Sequence, residues 1–447
     1  MAGASSAAKN AKGAKTMKPS GVEWLGDIPE GWEVMPAKAL FKQEKRPTRP
    51  DDEIITAFRD GQVTLRKNRR TTGFTEATNY DTYQGIRKGD LVIHQMDAFT
   101  GCAGISDSDG MGSPILIACT PRRGGIEPRY YAEIVRIMGH SGFISALAKG
   151  VRERSADFRF ETFARQLLPL PPLPEQRAIA DYLDAKCGAI DAAIAEAKKG
   201  IEEYKAWKKS LIFETVTGKR RVGVFNAESQ RSREAEKMKP SGIPWIGEIP
   251  EGWEMVPLKW LCTMQAGKTL SSEQIGAIGD YPVFGGNGIR GYFGEFNHDG
   301  PCLLVGRQGA LCGNVHFVDG KIWATEHALI TLPRDIVLLP YLNWLLIGMN
   351  LNRYVTQTAA QPGLAASVIL NAKTILPPLS EQQAIADYLD EKCAAIDAMV
   401  AEKEALIADL EAYKKSLIYE VVTGKEEPGA AAPGTKPTAS GTGQGVA

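Results

Sequence analysis

The chain is written twice. Residues 17–40 read MKPSGVEWLGDIPEGWEVMPAKAL, and residues 238–261 read MKPSGIPWIGEIPEGWEMVPLKWL. A second pair follows: residues 171–219 begin PPLPEQRAIADYLDAKCGAIDA and end KKSLIFETVTGK, and residues 377–425 begin PPLSEQQAIADYLDEKCAAIDA and end KKSLIYEVVTGK. Across those 49 positions 32 residues are identical at a constant offset of 206, whereas the opening blocks are offset by 221. The stretches between, 41–170 and 262–376, differ in length by 15 residues and show no evident similarity to each other. The period is far longer than that of a solenoid repeat. A duplication kept for its fold alone drifts evenly. Here the frame stays near-identical while the inserts diverge, the pattern of one scaffold carrying two different specificities.

The second pair of blocks has the period of a coiled coil. One seam row is Leu183, Ile190, Ala197, Tyr204 and Leu211, and the other is Cys187, Ile194, Ile201 and Lys208. The later block matches with Leu389, Ile396, Lys403, Leu410 and Leu417, and with Cys393, Val400, Ile407 and Lys414. Spacings alternate four and three, and the flanks are charged. Pro171 and Pro172 stop the preceding element, Pro174 suits a helix start, and Gly218 and Gly424 suit its end. A helix of about 40 residues spans roughly 60 Å and cannot bury its seam alone. Two matching helices can bury each other, and antiparallel pairing gives a pseudo-twofold axis that sends the inserts to opposite ends. The seam lysines break the ideal pattern and are expected at frayed or partner-facing places.

The inserts read as α+β. Residues 91–94, 114–118 and 302–305 look like short buried strands, and segments near 130–138 and 341–349 look helical. Formal net charge is zero, which weighs against a nucleic-acid partner. The distribution is uneven, however: residues 41–165 hold 20 Lys and Arg against 16 Asp and Glu. Base edges are read mainly by Arg, Asn, Gln, Ser and Thr. The first insert offers Arg59 and the cluster Arg66, Lys67, Arg69 and Arg70. The second offers Asn287, Arg290 and Tyr292 in YPVFGGNGIRGYF, and Arg307, Gln308 and Asn314 in VGRQGALCGN. Flanking glycines let such loops approach a groove. Trp323 and His327 read as core and as a structural hydrogen-bonding residue, and the paired tryptophans 24, 32, 245 and 253 as packing of the frame.

Catalytic signatures are not evident. MQAGKT at residues 264–269 has the end of a P-loop, but Cys262 stands where its first glycine is required. No dinucleotide fingerprint, adenine-methyltransferase motif or helicase motif is found, and the five histidines form no recognisable metal or acid–base set. The seven cysteines include no C-x-x-C, which argues against a zinc site, and their odd number against a full disulfide framework. No run of 18 apolar residues predicts a membrane span. Residues 1–16 lack the apolar core of a signal peptide and are expected to be a flexible tail on a cytoplasmic protein. Residues 426–447, rich in Ala, Gly, Pro and Thr, are expected to be disordered.

Two motifs, each present twice and in order, carry a resemblance: P-S-G-[V/I]-x-W-[L/I]-G-[D/E]-I-P-E-G-W-E and L-P-P-L-x-E-Q-x-A-I-A-D-Y-L-D. The chain resembles the specificity subunits of type I restriction–modification systems over roughly residues 17–425. The resemblance implies a target recognition domain at 17–170, a spacer helix at 171–219, a linker at 220–237, a second recognition domain at 238–376 and a second spacer helix at 377–425. Each domain would read one half of an asymmetric double-stranded DNA site, with an antiparallel coiled coil setting the gap. The chain itself would be non-catalytic. Its implied partners are two methylation subunits, which bind S-adenosylmethionine and modify adenine N6, and two motor-nuclease subunits. The target adenine must leave the duplex for that chemistry, in a pocket belonging to the partner. Apolar residues outside the seam, Ile179 and Tyr182 with their copies Ile385 and Tyr388, are candidates for docking the methylation subunits. Two other readings compete. A fused restriction–modification enzyme would need catalytic motifs, and a coiled-coil scaffold without a DNA role would leave the divergent inserts unexplained.

Overall fold

The structure, a computed structural model, describes residues 16–69, 79–147, 157–222, 237–309, 311–355 and 363–428. Arg70, nearly all of both tails and most of the 220–237 linker lie outside the described residues. Two compact units divide the chain: Met1–Ala195 with Ile407–Ala447, and Glu196–Leu406. Each unit therefore takes part of both long helices.

The two units are built alike. In the first, a four-stranded antiparallel sheet runs in the order Phe41–Glu44, Leu116–Pro121, Leu91–His94, Ala103–Ile105, followed by the helix Pro128–His140. In the second, the order is Cys262–Ala266, Ala328–Pro333, Cys302–Gly306, Val315–Val318, followed by the helix Leu339–Met349. First strand pairs with last in both cases. Inserts without evident sequence similarity thus share one topology, because a sheet needs only a buried apolar strand at each place and not a particular residue. Leu91–His94 and Cys302–Gly306 are such strands, buried almost throughout. Around the shared sheet the units differ: the second adds a three-stranded sheet in which Tyr281–Gly285 pairs with Gly288–Phe293 and with Trp323–Ala324.

Each insert is closed by a clasp. Glu33–Pro36 pairs antiparallel with Leu167–Leu170, and Glu254–Pro257 pairs antiparallel with Lys373–Leu376. The chain enters and leaves each insert on adjacent strands.

The long helices are Leu173–Val216 and Leu379–Val422, 44 residues each. Ala, Glu and Lys are their commonest residues, all good helix formers. Gly218 and Gly424 follow with φ of 75° and 74°, the left-handed conformation that ends a helix without a Cβ penalty. Within each unit the helical segments run antiparallel. In the first, Asp191 meets Lys414 and Tyr182 neighbours Glu426. In the second, Gly200 meets Lys403 and Lys208 meets Asp397. Of the predicted seam, Leu183, Ile190, Ile194, Ile201, Leu211, Leu389, Ile396 and Leu417 are buried, and Val400 and Ile407 are half-buried.

The seam lysines are neither frayed nor turned outward to a partner. Lys208 Nζ lies 2.7 Å from an Asp397 oxygen, and Lys414 Nζ 2.6 Å from an Asp191 oxygen. Lys403 lies across Gly200, where a Cβ would stand 3.1 Å from its Cε, with its Nζ 5.8 Å from the Tyr204 ring. Their long stems cover the seam while the ammonium reaches a carboxylate or ring at its edge.

The two duplicated motifs meet each other. Trp32 Nε1 donates to Glu175 Oε2 at 2.9 Å, and Trp253 Nε1 donates to Glu381 Oε2 at 2.9 Å. The next residue, Gln176 or Gln382, is fully buried, and its amide is used from both ends. Gln176 Nε2 donates to Pro171 O at 2.8 Å while its Oε1 accepts from Glu127 N at 2.9 Å. Gln382 repeats this with Pro377 O at 2.9 Å and Leu338 N at 2.8 Å. The E-Q dipeptide thus latches each helix start to its unit, and burying an amide is tolerable only with such partners.

Ile179 and Ile385 correct the docking expectation. They are 1% and 2% exposed and belong to the cores of their own units. The helix start faces two ways, seam and unit, so an apolar residue off the seam is not thereby at the surface. Tyr182 and Tyr388 are half-buried, with Lys186 Nζ and Lys392 Nζ 5.9 and 6.0 Å from the respective rings.

Candidate nucleic-acid interface

In the first unit the predicted basic residues surround the hairpin Ile55–Ala57/Val63–Leu65, and carboxylates meet most of them. Arg66 and Lys67 open a short 3-10 turn at Arg66–Asn68. Lys67 Nζ lies 2.5 Å from Glu53, and Arg69 Nη1 lies 2.6 Å from Asp60. The Arg69 guanidinium also stacks 4.4 Å over Phe58. Arg59, whose side chain is 73% exposed, approaches Asp97 only to 3.9 Å. Closer to the sheet, Arg46 pairs with Asp90 and Arg87 with Asp52. The positive cluster seen in sequence is therefore held in surface ion pairs of modest strength. Such pairs exchange readily when a phosphate competes for the cation. Arg70 lies outside the described residues.

The second unit brings its candidates closer together. Asn287 lies in the two-residue turn between Tyr281–Gly285 and Gly288–Phe293, with Gly288 at φ 101°. Its amide oxygen accepts from Asn314 Nδ2 at 2.7 Å, so residues 27 apart in sequence form one polar pair. Gly306 sits against this turn: a Cβ there would stand 2.0 Å from Gly286 O, so only glycine permits the approach. Three further backbone bonds tie the loop that follows: Gly306 N to Asn314 O at 2.9 Å, Arg307 N to His327 O at 2.9 Å, and Leu364 N to Arg307 O at 2.8 Å. Gln308 bridges to Gly363. Arg290 and Tyr292 stand exposed on one face of the strand Gly288–Phe293. Among the described residues no carboxylate pairs with Arg290 or Arg307, a contrast with the first unit.

Two residues read as structural join this edge. His327 Nε2 lies 3.3 Å from Glu326 Oε1, and the His327 carbonyl accepts from Arg307 N. Arg307 Nε, Thr325 Oγ1, Glu326 Oε2 and His327 Nδ1 are buried with no hydrogen-bond partner among the described residues. Buried polar atoms of this kind are ordinarily hydrogen-bonded, and four of them gather at this edge. KIWATEHA carries no local signal of this; the loop is placed by Thr325 N bonding to Phe284 O at 2.9 Å. Trp323 is core, 9% exposed, with its Nε1 donating to Lys268 O at 3.2 Å.

The cysteines are poor nucleophiles. Burial pushes the Cys187, Cys302 and Cys393 thiols up to about 11 and those of Cys102 and Cys262 up to about 12. The thiolate is the reactive form. No helix of the described residues is long and apolar enough to cross a membrane.

Two α+β units of one topology, each completed by parts of both helices and each presenting different polar loops, form a duplicated module. Residues 250–407 match the model of the type I restriction modification DNA specificity domain. The specificity subunit of the Escherichia coli type I restriction enzyme EcoprrI is 43% identical over 132 residues, covering 29% of this chain and 33% of that one. This chain thus spans only a third of that relative. The specificity subunit of the Methanocaldococcus jannaschii enzyme MjaVIII is 24% identical over 450 aligned positions, covering 89% of this chain and 93% of that one. A solved structure concerned with assembly and conformational transition of a type I restriction–modification system shares the fold, at a TM-score of 0.63 and 16% identity over 89% of this chain and 99% of that one. Residues 250–407 are thus similar to a type I DNA specificity domain, and the duplicated plan of the whole chain is similar to that of the type I specificity subunits.

Proposed function

We propose that the chain reads a bipartite double-stranded DNA site. The first unit takes one half through the region of Arg59, Arg66, Lys67 and Arg69, and the second takes the other through Asn287, Arg290, Tyr292, Arg307, Gln308 and Asn314. The observation that carries this reading is the repeated topology with divergent polar loops: one scaffold at two addresses. Arginine offers a bidentate fork to guanine and asparagine or glutamine to adenine, and the loop glycines permit close approach to a groove. The paired helices act as the spacer. Half-sites about one helical turn apart, ~34–36 Å, present the same face of the duplex to such a device.

In this reading the chain does no chemistry itself. It brings two methylation subunits to the site, and these carry S-adenosylmethionine and methylate adenine N6. Two motor-nuclease subunits join for cleavage. Tyr182 and Tyr388, half-exposed at equivalent places near the helix starts, are the docking residues that remain after Ile179 and Ile385 are withdrawn.

The test is genomic adenine methylation, mapped by single-molecule sequencing in cells carrying this chain and its cognate methylation subunit. Each insert is then exchanged for that of a relative at its clasp. A bipartite motif that changes in one half per exchange is the expected result. An assembled complex that yields no motif would point to a scaffold without DNA specificity.

A further inference from the structure

The loop that leads into the polar hairpin of the second unit shows one apolar side chain to solvent. Residues 271–280 read SSEQIGAIGD and hold two isoleucines three positions apart. Ile275 turns inward and packs against the small core of Leu270, Val283 and Trp323. Ile278 is 92% exposed, and the next large apolar side chain among the described residues, Ile289 on the adjoining hairpin, reaches 58%. Single apolar residues on a surface are ordinary. This one is nearly bare, and the loop beneath it is fastened.

Gly276 N donates to Tyr292 O and Tyr292 N to Gly276 O, each at 2.9 Å. Two glycines allow that contact. A Cβ on Gly291 would stand 2.6 Å from Gly276 O, and one on Gly279 would stand 2.9 Å from Tyr292 Cβ. At the start of the loop, Ser271 N donates to Gln274 Oε1 at 3.1 Å. The tip is thereby bound to the strand that carries the exposed Arg290 and Tyr292.

The loop has no cation. Glu273 and Asp280 are its only charges, so phosphate does not attract it. An apolar tip held beside Arg290 and Tyr292 gains from a duplex only between stacked bases. Isoleucine is among the side chains that enter DNA as wedges, partly unstacking a base step and kinking the duplex by about 20–90°.

We propose that Ile278 is such a wedge and enters one base step of the half-site taken by the second unit. The inference rests on the DNA-reading function proposed above and adds a second kind of recognition to it. Arg290 and the asparagines meet base edges, whereas Ile278 senses how readily a step opens, and pyrimidine–purine steps open most readily. The two bonds to Tyr292 keep the tip from folding back, so it is ordered before DNA arrives.

The experiment uses the full chain with its cognate methylation subunit, on duplexes carrying the motif found by methylome mapping. A fluorescent base analogue replaces each base of the second unit's half-site in turn, except the methylated adenine, and end-to-end energy transfer reports the bend. Emission should rise at one step when the wild-type protein binds, return to the stacked level in Ile278→Ala and survive in Ile278→Leu, with the bend following the same order. Both variants should keep the wild-type melting temperature, since the side chain touches little. A bound half-site in which no step unstacks overturns the wedge. So does Ile278→Ala with undiminished emission, or an Ile278→Ala defect confined to assembly with the methylation subunit. Those results leave a bipartite methylated motif in place. Absence of any such motif instead removes the DNA reading itself, and the wedge with it.

Discussion

Lys414 Nζ lies 2.6 Å from Asp191 Oδ1 across the antiparallel helical pair, although the two residues are 223 apart in sequence. Their side chains are unequally covered, 17% exposed for the lysine and 58% for the aspartate. Lys208 and Asp397 repeat the relationship in the other unit. An exposed pair of this kind is worth roughly 0.2–1 kcal/mol, so its effect is on register more than on stability. A double-mutant cycle with Asp191→Ala and Lys414→Ala, read by urea unfolding, should give a coupling energy in that range. Asp191→Ala should cost more than the loss of the pair alone, because it leaves the more covered ammonium without its carboxylate.

The bond between Trp32 and Glu175 should behave differently. The indole is 1% exposed, and its partner is charged. Glu175→Ala strands a buried donor and should destabilise the chain by about 1–3 kcal/mol. Glu175→Gln keeps an acceptor and should cost less. Glu381→Ala, against Trp253, should match Glu175→Ala, with the lost Arg221 partner added. Equal melting temperatures for Ala and Gln variants would show that shape rather than hydrogen bonding fixes this joint.

The recognition loops should be separable by half-site. Arg307→Ala and Asn314→Ala should each relax a position in one half of the methylated motif, at about 1–3 kcal/mol per lost bidentate contact, and leave the other half intact. Lys67→Ala should instead weaken binding evenly across sequences and reduce the salt slope by about 1. Methylome mapping checks the first, and binding isotherms over a salt series check the second. Relaxation in both halves from one substitution would contradict the assignment of units to half-sites.

Acid should loosen the first unit through His140. Its imidazole fills the space beside Gly101, where a Cβ would stand 2.4 Å from Nε2. Burial first, then Arg136, Lys415 and Lys414, holds it below the ordinary value of 6.5. The folded state thus binds fewer protons than the unfolded one between its lowered value and 6.5. Stability falls as pH drops through that window and is regained as pH rises. The melting temperature should decline on acidification from pH 7 to 5, and His140→Gln should flatten part of that slope. A slope unchanged by His140→Gln would assign it to other groups, such as His316, also lowered by burial.

The frame was legible because it was duplicated. Heptad spacing places Leu183, Ile190, Leu389 and Leu417 on the seam without any structure, and Gly218 and Gly424 mark where the helices end. Three things were not legible. The common topology of the inserts is carried by burial and not by residue identity, so Leu91–His94 and Cys302–Gly306 do not align by eye. Ile179 and Ile385 read as surface because a heptad shows only one buried face, whereas these helix starts have two. The charge cluster around Arg69 gave the sign of each residue but not its neighbour, and Asp60 lies nine positions away in the turn of a hairpin. The Asn287–Asn314 pair depends on how two glycine-containing loops meet, which no local pattern records.

The clasps have a consequence for how such chains diversify. Whatever lies between Glu254–Pro257 and Lys373–Leu376 must only begin and end on neighbouring strands. The entropic cost of closing a segment grows with the logarithm of its length, so the 130 residues of 41–170 and the 115 of 262–376 are nearly equivalent burdens on the scaffold. A foreign insert need not match its predecessor in length or in sequence. It needs only to arrive with its own core folded and its two ends side by side. In the proposed reading, recombination at the repeated blocks would turn one inherited address into another in a single event, with both long helices kept.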